Sequence, residues 1–331
     1  MKKRFLVLFR ACLPLAFTLY ASLVLAQSDP LPSWNDTTPK KSIIAFVESV
    51  TKAGSPDFVP IPKRIATFDN DGTLWVESPL YTQAEFAFDR VKEMAPQHPE
   101  WKTEQPFKGI LEGDMKAVAA TGDKGIAAIM VATSTGMTEE EFDQSVSAWI
   151  SQARDRRFKR HYNELIYQPM VELLAYLRGN SFKTFIVSGG DVAFMRPWTE
   201  KAYGIPPEQV VGSSVKTDLQ VREGKPVIMR LPQISFIDDG PGKPIGIDTF
   251  IGRHPILAFG NSDGDQQMLE WTAAGSNPHL MLLLHHTDAA REYAYDRQSA
   301  VGRLDKALDE AIAKGWIVVN MKDDWRRIFA F

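Results

Sequence analysis

Cysteine is almost absent from this chain, and its scarcity limits how the fold is stabilised. The 331 residues include one cysteine, Cys12, so the chain cannot form an internal disulfide. Stability must come from a hydrophobic core, and about 300 residues are enough to bury one. The sequence also lacks internal repeats and low-complexity segments, which argues against a repeat array or a disordered chain.

An excess of basic residues is also missing. Lysine and arginine number 38 against 41 aspartates and glutamates, for a formal net charge of −3. No basic patch stands out, so nucleic acid is not an expected partner. Apolar residues make up 44% and charged residues 24%, as in an ordinary globular protein.

Long apolar runs are lacking too, apart from one near the N-terminus. The run ACLPLAFTLYASLVLA has 16 residues and contains Pro14, whereas a membrane span needs about 20 residues. It follows the basic segment MKKRFLVLFR and ends in the small residue Ala26. This pattern predicts a signal peptide over residues 1–26, cleaved before Gln27, with an uncleaved anchor as the alternative.

Cleavage would change the chain in two ways. It would remove Lys2, Lys3, Arg4 and Arg10, so the formal charge would fall from −3 to −7, and it would remove the only cysteine. We therefore expect an exported protein without thiols, located in the periplasm and without a stable membrane anchor.

The remaining sequence divides into two kinds of pattern. Residues 81–179 are almost wholly helical, and FKGILEGDMKAVAA and TEEEFDQSVSAWISQARDRRF are each predicted as a single helix. Elsewhere strands alternate with helices, which predicts an α/β fold with a mostly parallel sheet covered on both faces. We predict a core of residues 27–76 and 180–331, and a helical cap domain of residues 77–179 inserted into it. A hairpin is predicted to turn at residues 223–224.

Polar residues follow three of the predicted strands. Residues 69–73 (DNDGT) follow IATF, residues 188–190 (SGG) end TFIVSGG, and residues 261–265 (NSDGD) follow ILAFG. Ligands of open parallel sheets bind beyond the carboxyl ends of the strands. If the three strands are neighbours, these turns form one site.

Two acids, Asp69 and Asp71, stand at the end of a core strand, and a bound metal would explain their position. Crowded carboxylates repel each other, and Mg²⁺ relieves that repulsion by binding oxygen ligands. Asp69 then suits attack on phosphorus as a carboxylate nucleophile. Asp71 points the same way and suits protonation of the leaving oxygen, followed by activation of water.

The other two turns supply groups that recognise phosphate. Ser188 and the backbone amides of Gly189 and Gly190 suit the binding of phosphate oxygens. Lys243, in the segment GPGKPIGI, suits neutralisation of the charge that develops on the phosphoryl group.

Together these residues resemble the motifs of the haloacid dehalogenase superfamily. FDNDGTLW is similar to the first motif, FIVSGG to the second, Lys243 to the third and FGNSDGD to the acidic fourth. The helical insert resembles the cap of the phosphoserine phosphatase-like branch. The resemblance implies a Rossmann-like, doubly wound core, a Mg²⁺ cofactor and an aspartyl-phosphate intermediate on Asp69. It also implies that the backbone at Asn70 faces the substrate and that the main-chain carbonyl of Asp71 binds the metal.

The second acid of the first motif limits the reaction types that the resemblance implies. Dehalogenases and phosphonate-cleaving members of the superfamily lack an acid two residues after the nucleophile, whereas Asp71 is present here as in phosphatases and phosphomutases. No second docking arrangement of the kind that a mutase needs is recognisable.

The fourth motif departs from the family pattern. Asn261 stands where the family has a metal-binding Asp, and Asp265 matches the later acid. An Asn side chain can bind Mg²⁺ through oxygen but brings no charge. The expected metal ligands are thus Asp69, Asp71, Asn261 and Asp265, with Asp263 as a possible substitute.

Three further side chains are candidate substrate contacts: Trp75 and Glu77, where the chain leaves the core, and Arg196, which follows Ser188. The adjacent His285 and His286 are expected at the surface or in a hydrogen-bonded pair, and not as metal ligands.

The sequence supports two hypotheses. The first is an exported, Mg²⁺-dependent phosphomonoester hydrolase acting on a small phosphorylated metabolite such as phosphoserine. The alternative is a degenerate protein of this fold that binds a phosphorylated ligand or an envelope partner without turnover. Sequence alone does not give the oligomeric state.

Overall fold

The structure is a computed structural model that describes residues 29–331, apart from the side chain of Asp123. The predicted signal peptide lies outside the described residues. Within them, no helix is both long enough and apolar enough to span a membrane.

One mixed sheet forms the centre of the fold. Its strands are β1 (Ile65–Phe68), β2 (Lys183–Asp191), β3 (Val210–Arg222), β4 (Lys225–Phe236), β5 (Leu257–Gly260), β6 (Leu280–Thr287), β7 (Ala294–Tyr295) and β8 (Ile317–Asn320).

The strand order is β4-β3-β2-β1-β5-β6-β7, and β8 pairs with β6. The pairs β1–β2, β1–β5, β2–β3, β5–β6 and β6–β8 are parallel, and β3–β4 and β6–β7 are antiparallel. The predicted mostly parallel α/β sheet is confirmed.

Helices surround the sheet and fill the segment between β1 and β2. They are α1 (Thr38–Thr51), α2 (Thr82–Met94), α3 (Phe107–Glu112), α4 (Met115–Ala120), α5 (Gly122–Ser134), α6 (Glu139–Ile150), α7 (Gln168–Gly179), α8 (Val192–Tyr203), α9 (Gly242–Gly246), α10 (Gln266–Ala273), α11 (Lys306–Lys314) and α12 (Met321–Asp324).

Two predicted helices are shorter than expected. Gly113 ends α3 in a left-handed conformation with φ 76°, and the side chain of Asp114 accepts from the Ala117 amide to begin α4. FKGILEGDMKAVAA is therefore two helices. The helix that begins in TEEEF ends at Ile150. Further on, Asp155 accepts from the amides of Arg157 and Phe158 in a turn, so the rest of the predicted helix does not form.

The helical insert has an apolar cluster of its own, built from α2, α3, α5 and the turns between them, including Phe88, Val91, Trp101 and Ile110. Helix α7 lies at the end of the insert, and its Leu173 packs in the same cluster as the β1 residue Phe68. The boundaries of the cap at residues 77 and 179 remain predictions.

A long hairpin joins the sheet to the insert. β3 and β4 pair up to Arg222 and Lys225, and both turn residues have positive φ, 51° at Glu223 and 77° at Gly224. The hairpin therefore turns at the predicted position. Its first strand, β3, has 13 residues and begins at Val210.

A buried arginine fastens this hairpin to the insert. Arg230 in β4 is 2% exposed and donates to Asp191 at 2.5 Å and to Glu139 at 3.0 Å. Its guanidinium also donates to the Ser134 carbonyl and lies 4.2 Å from the Phe142 ring centroid. These contacts connect β2, β4, α5 and α6 at one point.

We predict that Arg230→Ala lowers the free energy of unfolding by about 3–5 kcal/mol, because it leaves the buried Asp191 carboxylate without its partner. The exposed Lys216 of β3 provides the control variant Lys216→Ala. Urea unfolding of both variants measures the effect. A loss at Arg230 no larger than the loss at Lys216 would contradict this role.

Candidate functional site

The three polar turns meet at one edge of the sheet. β1 lies between β2 and β5, and all three strands are parallel, so their carboxyl ends lie side by side. The Asp69 amide donates to the Phe259 carbonyl at 3.0 Å, which fixes the start of the first turn beside β5.

Lys243 lies at the centre of this site. Its Nζ donates to Asp69 Oδ1 at 2.7 Å and to Asp265 Oδ1 at 2.5 Å, and its side chain is 2% exposed. Burial alone would lower the pKa of Lys243, but the two carboxylates outweigh burial and raise it, so the ammonium stays charged.

Asp69 is a buried acid in an electrostatically crowded place. Burial raises the pKa of its carboxyl well above the ordinary value, and the charges of Asp265 and Asp71 raise it further. The ammonium of Lys243 opposes these effects and lowers the pKa. The nucleophile expected from the sequence thus lies where a positive charge stabilises its ionised form.

Asp71 is held by a tryptophan. Trp75 Nε1 donates to Asp71 Oδ1 at 2.8 Å, and the Trp75 ring stacks on Trp198 with centroids 4.3 Å apart. Burial raises the pKa of Asp71 to about 6, although the hydrogen bond from Trp75 lowers it. An acid with this pKa can give up and regain a proton near neutral pH.

The segment 188–190 is a bulge and not a turn after the strand. β2 continues to Asp191, but its pairing with β3 shifts register between Ser188 and Asp191, so Gly189 and Gly190 loop out. A Cβ at Gly190 would lie 3.5 Å from Ser188 Oγ and 3.7 Å from Asp71 Oδ2. The bulge therefore faces the second acid of the first turn.

The insert reaches this bulge through Gln83 of α2. Gln83 Oε1 accepts from the Asp191 amide at 2.9 Å, and a Cβ at Gly190 would lie 3.2 Å from the same oxygen. The sequence gives no signal for this contact, because Gln83 is an ordinary polar residue in the first turn of a helix.

Asn261 bridges the first turn and Glu77. Thr73 Oγ1 donates to Asn261 Oδ1 at 2.9 Å, and Asn261 Nδ2 donates to Glu77 Oε1 at 2.6 Å. Tyr295 also donates to Glu77 Oε1, at 2.8 Å. Burial raises the pKa of Glu77 well above its ordinary value, while the Tyr295 hydrogen bond lowers it.

The two acids of the third turn point in different directions. Asp265 Oδ2 accepts from the amides of Asn261 and Ser262 at 2.9 and 3.0 Å, while its other oxygen contacts Lys243. Asp263 Oδ1 accepts from the amides of Asp305 and Ala307 and so caps α11. Asp263 is therefore engaged away from the position that a substitute metal ligand would occupy.

The three candidate substrate contacts lie in different environments. Trp75 is fully buried against Asp71 and Trp198, and Glu77 is 2% exposed beside Asn261. Arg196 donates to the Pro207 carbonyl and lines a surface cavity of ≈ 510 Å³ between α6, α8 and the hairpin. The structure does not bring Arg196 together with the three polar turns.

His286 supports the first turn from behind. Its Nε2 lies 2.7 Å from the Gly72 carbonyl oxygen, its Nδ1 lies 3.1 Å from Glu292 Oε2, and its ring stacks on Tyr295. A carbonyl only accepts, so Nε2 carries a hydrogen. His285 lies 3.5 Å from Asp296 Oδ2, so both histidines have the polar contacts expected for a hydrogen-bonded pair.

The charges of the site suit a cation. The carboxylates of Asp69, Asp71 and Asp265 lie close to the ammonium of Lys243, and that of Glu77 lies near Asp69 and Asp71. Excess negative charge with oxygen donors is the setting that Mg²⁺ prefers.

Not all of the donors are carboxylates. Within residues 29–331, no three His, Cys, Asp or Glu side chains are arranged to hold a metal by themselves. A magnesium ion here would draw on Asp69, the main-chain carbonyl of Asp71 and the amide oxygen of Asn261. All of these ligands remain predictions, and so does Asp265, both of whose oxygens already have protein partners.

A comparison with protein-family models identifies the family of this chain. The model of the haloacid dehalogenase-like hydrolases matches residues 66–270, more than half of the chain. The chain belongs to this family. The resemblance inferred from the four motifs is thereby confirmed, and a hydrolase is the activity class of the family.

Several solved structures match the chain at low sequence identity. A protein of unknown function from Bordetella pertussis Tohama I is 15% identical, with 78% of this chain and 98% of that chain covered and a TM-score of 0.49. A functionally unknown protein from Anaerococcus prevotii DSM 20548 is 16% identical, with 83% and 88% covered and a TM-score of 0.48.

A phosphoserine phosphohydrolase-like protein from Francisella tularensis subsp. tularensis SCHU S4 is 13% identical, with 80% of this chain and 95% of that chain covered and a TM-score of 0.42. A search among curated proteins gives no significant match.

Asp238 is a buried carboxyl group whose titration should make the stability of the fold depend on pH. It is fully buried near Lys243, and neither carboxylate oxygen has a hydrogen-bond partner among the described residues. Burial raises the pKa of Asp238 from 3.8 to about 7, although Lys243 lowers it. Between these values the folded state holds a proton that the unfolded state has lost, so stability falls as pH rises.

We expect Asp238→Asn to remove this pH dependence. Its gain in Tm over the unsubstituted protein should be larger at about pH 8 than at about pH 5. Thermal unfolding at both pH values measures the gain, and Asp248→Asn at the surface controls for the loss of a carboxylate. An equal Tm difference at both pH values would show that Asp238 is not protonated in the fold.

Proposed function

We propose that this protein is an exported, Mg²⁺-dependent phosphomonoester hydrolase that acts through an aspartyl-phosphate intermediate. The observation that carries the proposal is the position of Asp69, bound by Lys243 at 2.7 Å. Asp71 follows two residues later and faces the Ser188–Gly190 bulge. A nucleophile, an acid and a phosphate-binding segment thus converge at one edge of the sheet.

The first half of the reaction transfers the phosphoryl group to the protein. A carboxylate oxygen of Asp69 attacks phosphorus, and the ester P–O bond breaks as the acyl phosphate forms. Asp71 donates its proton to the leaving oxygen, so the alcohol departs neutral. Ser188 Oγ and the amides of Gly189 and Gly190 hold the non-bridging oxygens of the phosphoryl group during its transfer.

The second half returns the protein to its starting state. Asp71, now ionised, takes a proton from water as the water attacks phosphorus, and Asp69 leaves as a carboxylate. Lys243 lies beside Asp69 in both halves and balances its charge. Bound Mg²⁺ would add neutralisation of the charge on the phosphoryl oxygens.

We further propose a small substrate, with phosphoserine as the first ester to test. The insert contacts the site directly, because Gln83 of α2 binds the backbone next to the bulge. A cap in this position leaves room for a small ester and excludes bulk water during the reaction. The phosphoserine phosphatase-like branch, proposed from the cap, supports this choice.

Export is a separate part of the proposal. Its support is the N-terminal pattern of a basic segment, an apolar run of 16 residues and the small residue Ala26. A periplasmic location would follow in an organism with an outer membrane.

One observation favours a second candidate, a protein that binds a phosphorylated ligand or an envelope partner without turnover. The amide of Asn261 brings no charge to the metal site, and both of its polar atoms bind protein groups, Thr73 and Glu77. A weakly held metal would lower turnover while leaving the phosphate-binding bulge intact.

The test is phosphate release by the mature chain from a panel of esters that includes phosphoserine, a sugar phosphate and a nucleoside monophosphate. We expect release with Mg²⁺, none with a chelator, and none from Asp69→Asn, which lacks the nucleophile. Asp248→Asn changes an exposed carboxylate and should retain full activity. Full activity of Asp69→Asn contradicts the proposal, and tight ester binding without release favours the second candidate.

A further inference from the structure

Glu77 is a buried acid for which the proposed reaction has no direct use. It is 2% exposed, and its carboxylate contacts Asn261, which is 1% exposed. Asn261 occupies the position where the family pattern has a charged residue. Position 261 therefore has no carboxylate of its own, but the carboxylate of Glu77, from a different part of the chain, lies next to it.

The contact fixes which way the Asn261 amide points. Glu77 Oε1 accepts from the Tyr295 hydroxyl at 2.8 Å and from Asn261 at 2.6 Å, so the amide nitrogen of Asn261 faces Glu77. The amide oxygen then faces the first turn, where it accepts from Thr73 Oγ1 at 2.9 Å. The reverse orientation would place the amide oxygen against Glu77 Oε1 and lose the hydrogen bond between Asn261 and Glu77.

Glu77 itself has a fixed position. Tyr295 donates to the same carboxylate oxygen at 2.8 Å, and Tyr295 stacks on His286. Two backbone segments lie directly on the carboxylate, because a Cβ at Gly72 would lie 2.3 Å from Glu77 Oε1 and one at Gly302 would lie 1.8 Å from it. Glycine at both positions allows this packing.

We propose that Glu77 is a positioning residue of the Mg²⁺ site: it turns the oxygen of Asn261 toward the first turn and supplies the negative charge that Asn261 lacks. Groups that orient metal ligands commonly contribute about 10- to 100-fold to metal affinity. The inference rests on the proposed Mg²⁺-dependent function, but it concerns metal binding and not turnover.

The test measures Mg²⁺ binding by calorimetry, without substrate, on the full mature chain. Glu77→Gln should weaken binding about 10- to 100-fold, since it removes the charge and one acceptor. Glu77→Gln combined with Asn261→Asp should restore binding to near the original affinity, because it returns the charge to the site. Tyr295→Phe removes one hydrogen bond but no charge, and it should weaken binding less than Glu77→Gln.

Each other outcome overturns a defined part of the inference. Unchanged affinity of Glu77→Gln overturns it entirely, and a double variant as weak as Glu77→Gln overturns the role of charge. If the unsubstituted chain releases phosphate but binds no Mg²⁺, both the inference and the proposed metal dependence are wrong. If it binds Mg²⁺ and Glu77→Gln binds equally well, only the inference is wrong.

A further variant covers the case in which Glu77→Gln does not fold. Asn261→Asp alone would place two carboxylates side by side, which repel each other unless a cation is bound. We expect it to have a lower Tm than the unsubstituted protein without metal and a larger rise in Tm on addition of Mg²⁺. A rise no larger than that of the unsubstituted protein would contradict the inference.

Discussion

The salt bridge from Lys243 to Asp69 and Asp265 is the interaction on which the site depends. Its three residues come from the first turn, α9 and the turn after β5, so one ammonium fixes three parts of the chain. Asp265 carries the link further, because its second oxygen binds the amides of Asn261 and Ser262. A buried acid without such a partner would be costly, and Lys243 opposes the rise in the pKa of Asp69 that burial causes.

The rest of the site is arranged around this bridge in two ways. Neighbouring side chains hold the first turn in shape: Trp75 binds the Asp71 carboxylate, and His286 binds the Gly72 carbonyl. The acids that remain uncompensated, Asp71 and Glu77, lie where a cation or a proton must balance their charge. The resulting site suits the proposed phosphoryl transfer, in which an acid moves protons and a bound metal would neutralise negative charge.

Sequence reasoning succeeded where function depends on residues close together in the chain. The polar segments at residues 69–73, 188–190 and 261–265 are local patterns, and the strand pattern correctly predicted that their strands run parallel. Lys243 was found because the glycines around it form a loop that aims it, and Gly242 packs so closely that a Cβ there would lie 2.0 Å from the Ile237 carbonyl oxygen.

The features that sequence reasoning missed depend on contacts between distant residues. Glu77 meets Asn261 across 184 positions and Arg230 meets Asp191 across 39, and neither pair has a local signal. The bulge at Gly189 and Gly190 was taken for a turn because only pairing with β3 reveals it. Arg196 was one of three candidate substrate contacts from its place after Ser188, and the structure places it in α8 beside the hairpin.

The decisive measurement is the site of phosphorylation during turnover. The reaction, run with an aryl phosphate whose leaving group needs no proton, would be quenched in acid and the peptides analysed by mass spectrometry. The unsubstituted protein would be compared with Asp71→Asn, which should then slow mainly the breakdown of the intermediate. We expect one phosphoryl group on the peptide that contains Asp69, and more of it in Asp71→Asn. Phosphate release with no phosphorylated peptide, or with the group on a different residue, would contradict Asp69 as the nucleophile.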